Sequence, residues 1–145
     1  MTMHRSATVI FGLASLMIPG CGGDGAAPAE VSASEASVAK GLEAATAKDW
    51  AAAERELDGA IKAGALQPDQ SEQAMLALAR ARVELGKLDE ASVLITELEL
   101  GAAAMDQVLL VKAELLLKKG DAAGAREAFT EAKTHNAALT APAGL

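Results

Sequence analysis

An all-α fold is predicted for this 145-residue chain by three observations. A motif returns three times, as Lys48-Asp49-Trp50-Ala51-Ala52-Ala53, Gly86-Lys87-Leu88-Asp89-Glu90-Ala91 and Gly120-Asp121-Ala122-Ala123-Gly124-Ala125, with its closing alanines 38 and then 34 residues apart. That is close to the period of helical hairpins that stack into solenoids. Apolar residues make up 51% of the chain; most are Ala and Leu, both strong helix formers. No segment of any length alternates apolar and polar residues as a half-buried strand would. The expected architecture is a short α-solenoid of three hairpins after a leader and a flexible linker. The divisions are 1–20 (leader), 21–32 (tether), 33–137 (helical domain) and 138–145 (flexible tail).

The leader has the build of a signal peptide. His4 and Arg5 form a short basic start, and residues 7–18 are apolar except for Thr8 and Ser15, which is the n-region and h-region pattern. Twelve residues fall short of the ~20 that a helix needs to cross the hydrocarbon core. Ile18-Pro19-Gly20-Cys21 closes the segment, and Cys21 is the single cysteine of the chain. Without a second cysteine there is no intramolecular disulfide to form beyond the membrane.

Ile18-Pro19-Gly20-Cys21 resembles the lipobox of bacterial lipoproteins, with Pro19 standing where Ala, Ser or Thr is more usual. The resemblance implies cleavage before Cys21, a diacylglyceryl thioether on its sulfur and an acylated new amino terminus. Several chains on one residue give a stable anchor, since each buried CH₂ contributes ~0.8 kcal/mol. Gly22 and Gly23 precede Asp24, so the Asp that marks inner-membrane retention in that family is out of place, and the outer membrane is implied. Residues 22–34 are rich in Gly, Ala, Pro and Ser and read as a tether spanning about 18 Å from residue 21 to 32.

Six helices follow in order. Ser32 with Glu35 reads as a capping box opening the first, 33–47. Asp49 caps the second, 50–63, which Gly64 ends. Pro68 and Asp69, with Glu72 completing another capping box, start the third, which runs to about 85; Gly86 turns the chain. The fourth covers 88–100 and stops at Gly101, the fifth 103–119, and Gly120-Asp121 leads into the sixth, 122–137. Short turns make these three antiparallel hairpins.

The hairpins also agree in register. Seven residues before the turn positions Lys48, Gly86 and Gly120 stand Gly41, Ala79 and Ala113; five after stand Ala53, Ala91 and Ala125; nine after, Leu57, Ile95 and Phe129; twelve after, Ala60, Leu98 and Ala132. This resembles the tetratricopeptide repeat, whose two helices cross closely at small residues while a large one fills the space between hairpins. The chain departs from that pattern at Lys48, which replaces the turn Gly, and at Ser37, Met75 and Leu109, which replace an aromatic.

In that family the first helix of each hairpin lines a concave groove. The resemblance therefore implies a partner-binding face made of Val38, Leu42 and Ala45, then Leu76, Arg80 and Val83, then Leu110, Glu114 and Leu117. Such a face suits an amphipathic helix or an extended apolar segment of another envelope protein. The alternative for Leu76, Val83, Leu110 and Leu117 is burial in the core; for Arg80 and Glu114 it is an ion pair with no partner. The sixth helix is expected to close the array, with Ala125, Phe129 and Ala132 inward.

Charge and chemistry narrow the function further. A net charge of −7 repels phosphate backbones, so nucleic acid is not the expected partner. Ser32, Ser34, Ser37, Ser71 and Ser92 build no triad with His135, the one His after the leader; no His/Cys metal spacing occurs, and Gly20 to Gly25 does not follow a strand. No catalytic residue, metal or cofactor is expected. The expected role is a lipid-anchored adaptor facing the periplasm; alternatives are a pilotin-like assembly factor or a permanent subunit of an envelope complex.

Overall fold

The computed structural model describes residues 28–145, and within them the fold is all α. Its helices are α1 (Pro28–Thr46), α2 (Trp50–Ala63), α3 (Pro68–Glu84), α4 (Leu88–Glu99), α5 (Met105–Lys118) and α6 (Ala122–His135). The leader 1–20, the lipidation candidate Cys21 and the first part of the tether lie outside the described residues. No described helix is long and apolar enough to cross a membrane.

The three hairpin turns share one geometry. Lys48, Gly86 and Gly120 take φ of 61°, 77° and 85°, the left-handed conformation that lets a helix end in a tight reversal. The next residue donates its N–H back across the turn each time: Asp49 to Ala44 O at 2.9 Å, Lys87 to Arg82 O at 2.8 Å and Asp121 to Leu116 O at 2.9 Å. These bonds satisfy carbonyls that a helix end leaves open. Asp49 and Asp121 then start the second helices, their carboxylates accepting from Ala52 N at 3.1 Å and Gly124 N at 2.9 Å.

Two helix starts differ from the sequence expectation. Helix α1 already includes Pro28, so Ser32 is inside it rather than at its cap, and residues 28–32 belong to the helix and not to the tether. Helix α3 is capped not by Asp69 and Glu72 but by Gln67, whose N–H donates to Gln70 Oε1 at 3.3 Å. Glu72 is occupied elsewhere, as described below.

Packing follows the register of small residues. Gly41, Ala79 and Ala113 are buried on the first helices, and Ala53, Ala91 and Ala125 are fully buried on the second. A Cβ at Gly41 would come within 2.5 Å of Leu57 Cγ; hydrogen is the only side chain this crossing admits. Each helix packs on its neighbours in sequence, and the first helices also meet, α1 with α3 and α3 with α5. Among the described residues α1 touches neither α5 nor α6.

The core comes in two successive parts. Val38, Ala53, Leu57, Ala60, Ala74, Leu78 and Ala81 join α1, α2 and α3. Ala79, Val83, Ala91, Ile95, Leu98, Val108, Val111 and Leu115 join α3, α4 and α5. Helix α3 contributes opposite faces to both, and its burial against both neighbours is what couples the hairpins. Arg82 reinforces the junction on the other side, with Nη2 3.0 Å from Asp58 and Nε 3.4 Å from both Glu54 and Glu90.

At α6 the buried residues are Ala125, Ala128 and Ala132; Phe129, also expected inward, is half-buried. Leu57 and Ile95, at the same repeat position, are buried because α3 and α5 cover them. Among the described helices α6 packs on α5 alone, and Lys133 Nζ approaches the Phe129 ring at 6.0 Å.

Candidate functional site

The positions expected to line a groove stand ten, six and three residues before each turn. On a helix this spacing draws one stripe, so Leu42, Arg80 and Glu114 are equivalent residues of successive first helices. The structure divides the stripe by depth. Val38 is 5% exposed and Val83 fully buried; both are core residues and leave the groove, because α2 and α3 close over Val38 while α4 and α5 close over Val83. Leu42, Ala45, Leu76, Arg80, Leu110, Glu114 and Leu117 are half-buried at the surface.

Three hollows lie along this face. Leu42, Ala45, Leu76 and Arg80 line one of about 400 Å³ between α1 and α3, together with Thr46, Trp50, Gln73 and Ala77. Leu76 and Gln73 also border a second of about 400 Å³, floored by Glu72 and the start of α5 at Ala103 and Ala104. Glu114 and Leu117 line a third, about 330 Å³, with Glu84, Lys118, Pro142 and Ala143. Sequence reasoning missed Trp50, whose signal was its rarity: it is the chain's one tryptophan, placed directly after a turn.

Two ion pairs join α3 to α5 on this face. Arg80 Nε is 3.1 Å from Glu114 Oε2 and its Nη2 3.3 Å from Oε1; Lys118 Nζ is 3.3 Å from Glu84 Oε2. The rest of the lining is mixed: Leu42, Ala45, Leu76 and Ala77 with Trp50, Thr46 and Gln73 in the first hollow, and Asp69, Glu72 and Gln73 beside Leu76 in the second.

The second hollow shows how the hairpins are locked together. Glu72 accepts N–H bonds from Ala103 at 3.0 Å and Ala104 at 2.9 Å, thereby capping α5 from α3. Asp106 is its counterpart one repeat on: it accepts from Asn136 Nδ2 at 2.9 Å, just past α6. That bond, followed by one from Gln107, holds the Asp106 carboxyl below the usual aspartate range. On the opposite surface Lys87 is pushed up by its bonds to Glu54, both 2.8 Å. These groups serve the scaffold: each is bonded to a helix end or to an adjacent helix.

A further apolar surface lies on the outward side of α4, where Val93 is 67% and Leu100 86% exposed. They line a hollow of about 480 Å³ with Ser92, Thr96, Asp89 and Glu97. Among the described residues no group of His, Cys, Asp and Glu is arranged to hold a metal ion.

Comparison with family models, with curated proteins and with solved structures returns no match.

Proposed function

We propose that this chain is a tetratricopeptide-like adaptor, held at a bacterial membrane by lipid on Cys21, whose groove grips an apolar segment of another envelope protein. The observation that carries the reading is the largely apolar hollow running from Leu42 through Leu76, beside which Arg80 is paired with Glu114. Support for a solenoid comes from the shared turn geometry, from two cores in series and from first helices that meet side by side. Support for the anchor is the lipobox-like Ile18-Pro19-Gly20-Cys21 and the uniqueness of Cys21. Binding rather than catalysis agrees with a surface in which the perturbed ionisable groups, Asp106 and Lys87, are tied into the scaffold.

The test is in-cell photocrosslinking from position 76, with Val93 as the control site on the outward face. One dominant envelope protein captured at 76, and lost on Leu42→Asp, is the expected result; identical capture from both positions would overturn the groove assignment. Mass spectrometry of the membrane fraction tests the anchor separately. An acylated peptide beginning at Cys21 is expected, and an unmodified soluble product would remove the anchor.

A further inference from the structure

The segment 138–145, expected to fray, follows an anchored residue and is shaped by local turns. Asn136, bonded to Asp106, also accepts from Leu139 N at 3.2 Å and, through Oδ1, from Ala138 N at 3.2 Å. Farther on, Leu145 N closes a turn onto Pro142 O at 3.3 Å. Leu139, Pro142 and Leu145 are half-buried while Thr140, Ala141, Ala143 and Gly144 are exposed. One side of the segment therefore faces the helices. Asp106 is in the first turn of α5, and Pro142 and Ala143 share a hollow with Glu114, Leu117 and Lys118 near its other end. The segment thus starts beside the first turn of α5 and brings Pro142 and Ala143 to a hollow near the other end of that helix, which Glu84 of α3 also lines.

Chemical complementarity accompanies this placement. Residues 136–145 contain no Asp, Glu, Lys or Arg, and the two acids and the lysine of the hollow already have partners, Glu114 with Arg80 and Glu84 with Lys118. An uncharged chain can lie there without disturbing either pair. Leu117 supplies the apolar surface, and proline reduces the conformational freedom lost when an extended segment is held.

We infer that 138–145 is a built-in occupant of the α5 end of the groove, and that a partner enters there by displacing it with an extended, uncharged, proline-containing segment of its own. This rests on the groove reading above but concerns a different end of it, so crosslinking from position 76 can succeed where the present test fails. Occupancy by the segment acts as a threshold. A short tether holds its own ligand at an effective concentration of about a millimolar, so a competitor must exceed that level of binding to open the site.

The experiment uses a fluorescein-labelled synthetic peptide of residues 136–145, followed by anisotropy. Against the chain truncated after Ala137 it should bind saturably; against the full chain, about tenfold more weakly, if the peptide's own Kd is about 0.1 mM. Leu117→Asp in the truncated chain should abolish binding. Equal binding to full and truncated chains, or none to the truncated chain, overturns the proposal. A second measurement on the full chain guards against a truncation that does not fold: a nitroxide on Ala143→Cys in a Cys21→Ser background should broaden the amide signals of Glu84, Leu117 and Lys118. Sharp signals at all three would show the segment undocked and equally overturn it.

Discussion

Arg80 and Glu114 face one another at the same repeat position, each six residues before its turn glycine, and join α3 to α5 through bonds of 3.1 and 3.3 Å. Glu84 and Lys118 do so again, each two residues before the same turns, at 3.3 Å. Like positions meeting like positions means that the two helices run side by side in the same direction and register.

The pair is partly open, with side-chain exposures of 37% and 23%, so its net contribution to stability is about 0.5–1 kcal/mol. Arg80→Glu should lower urea-unfolding stability by about that amount or slightly more, because two acids then adjoin. The double swap Arg80→Glu with Glu114→Arg should restore it. If the groove holds an uncharged segment, the double variant also keeps its crosslinked partner; loss of capture with stability restored would mean that the partner reads the charges directly.

The helix crossings give a sharper steric prediction. Ala91→Leu or Ala125→Leu puts three extra carbons where no space exists and should destabilise by about 1–3 kcal/mol in denaturant melts, whereas Leu at exposed Thr130 should be near neutral. Gly41→Ala is the more discriminating variant. Its gain in helix propensity is about 1 kcal/mol, yet its Cβ would stand 2.5 Å from Leu57 Cγ, and Leu57 is fully buried. Overpacking should win, giving net destabilisation; a stabilised Gly41→Ala would show that the crossing is looser than described.

Which features were legible in the chain follows from what sets them. Turns and crossings were, because only glycine tolerates the left-handed turn cheaply and only Gly or Ala fits between close helices, so residue type reports geometry directly. Depth was not. Val38 and Val83 share the stripe of Leu42 and Leu76, and helical spacing assigns a face without saying how far neighbouring helices close over it. Glu72 and Asn136 were missed for another reason: their partners lie about a repeat away, and a local capping pattern offered Glu72 a nearer role. The segment 138–145 has no periodicity to read, and its docking depends on a surface that exists only once α3 and α5 are side by side.

Lys48 is the one turn residue that works against its backbone. At φ 61° a side chain other than Gly meets strain of roughly 1–2 kcal/mol, partly offset in a Gly variant by the greater freedom of its unfolded chain. Lys48→Gly should therefore raise stability by about 0.5–1 kcal/mol. Gly86→Ala and Gly120→Ala should lower it, at φ 77° and 85°. Thermal melts of the three variants decide this, and a destabilised Lys48→Gly would indicate that the lysine side chain makes a contribution of its own.

Glu72 and Asp106 should differ in their response to acid and to substitution. Glu72→Ala leaves two backbone N–H groups at the start of α5 without their carboxylate, a cap loss of about 1–2 kcal/mol. For Asp106 the sign follows from its bonds: Asn136 and Gln107 lower its folded pKa below the unfolded value. The stabilisation it provides is thus complete above about pH 4 and is lost as pH falls through the folded pKa. Asp106→Asn should be less stable than the parent at neutral pH and should lose less on acidification, so that their unfolding midpoints converge once the pH has fallen through the folded pKa of Asp106. Since Asn136 also holds Leu139 and Ala138, the nitroxide broadening from position 143 should weaken in Asp106→Asn at neutral pH. Parallel acid profiles for parent and variant would remove Asp106 from the clasp.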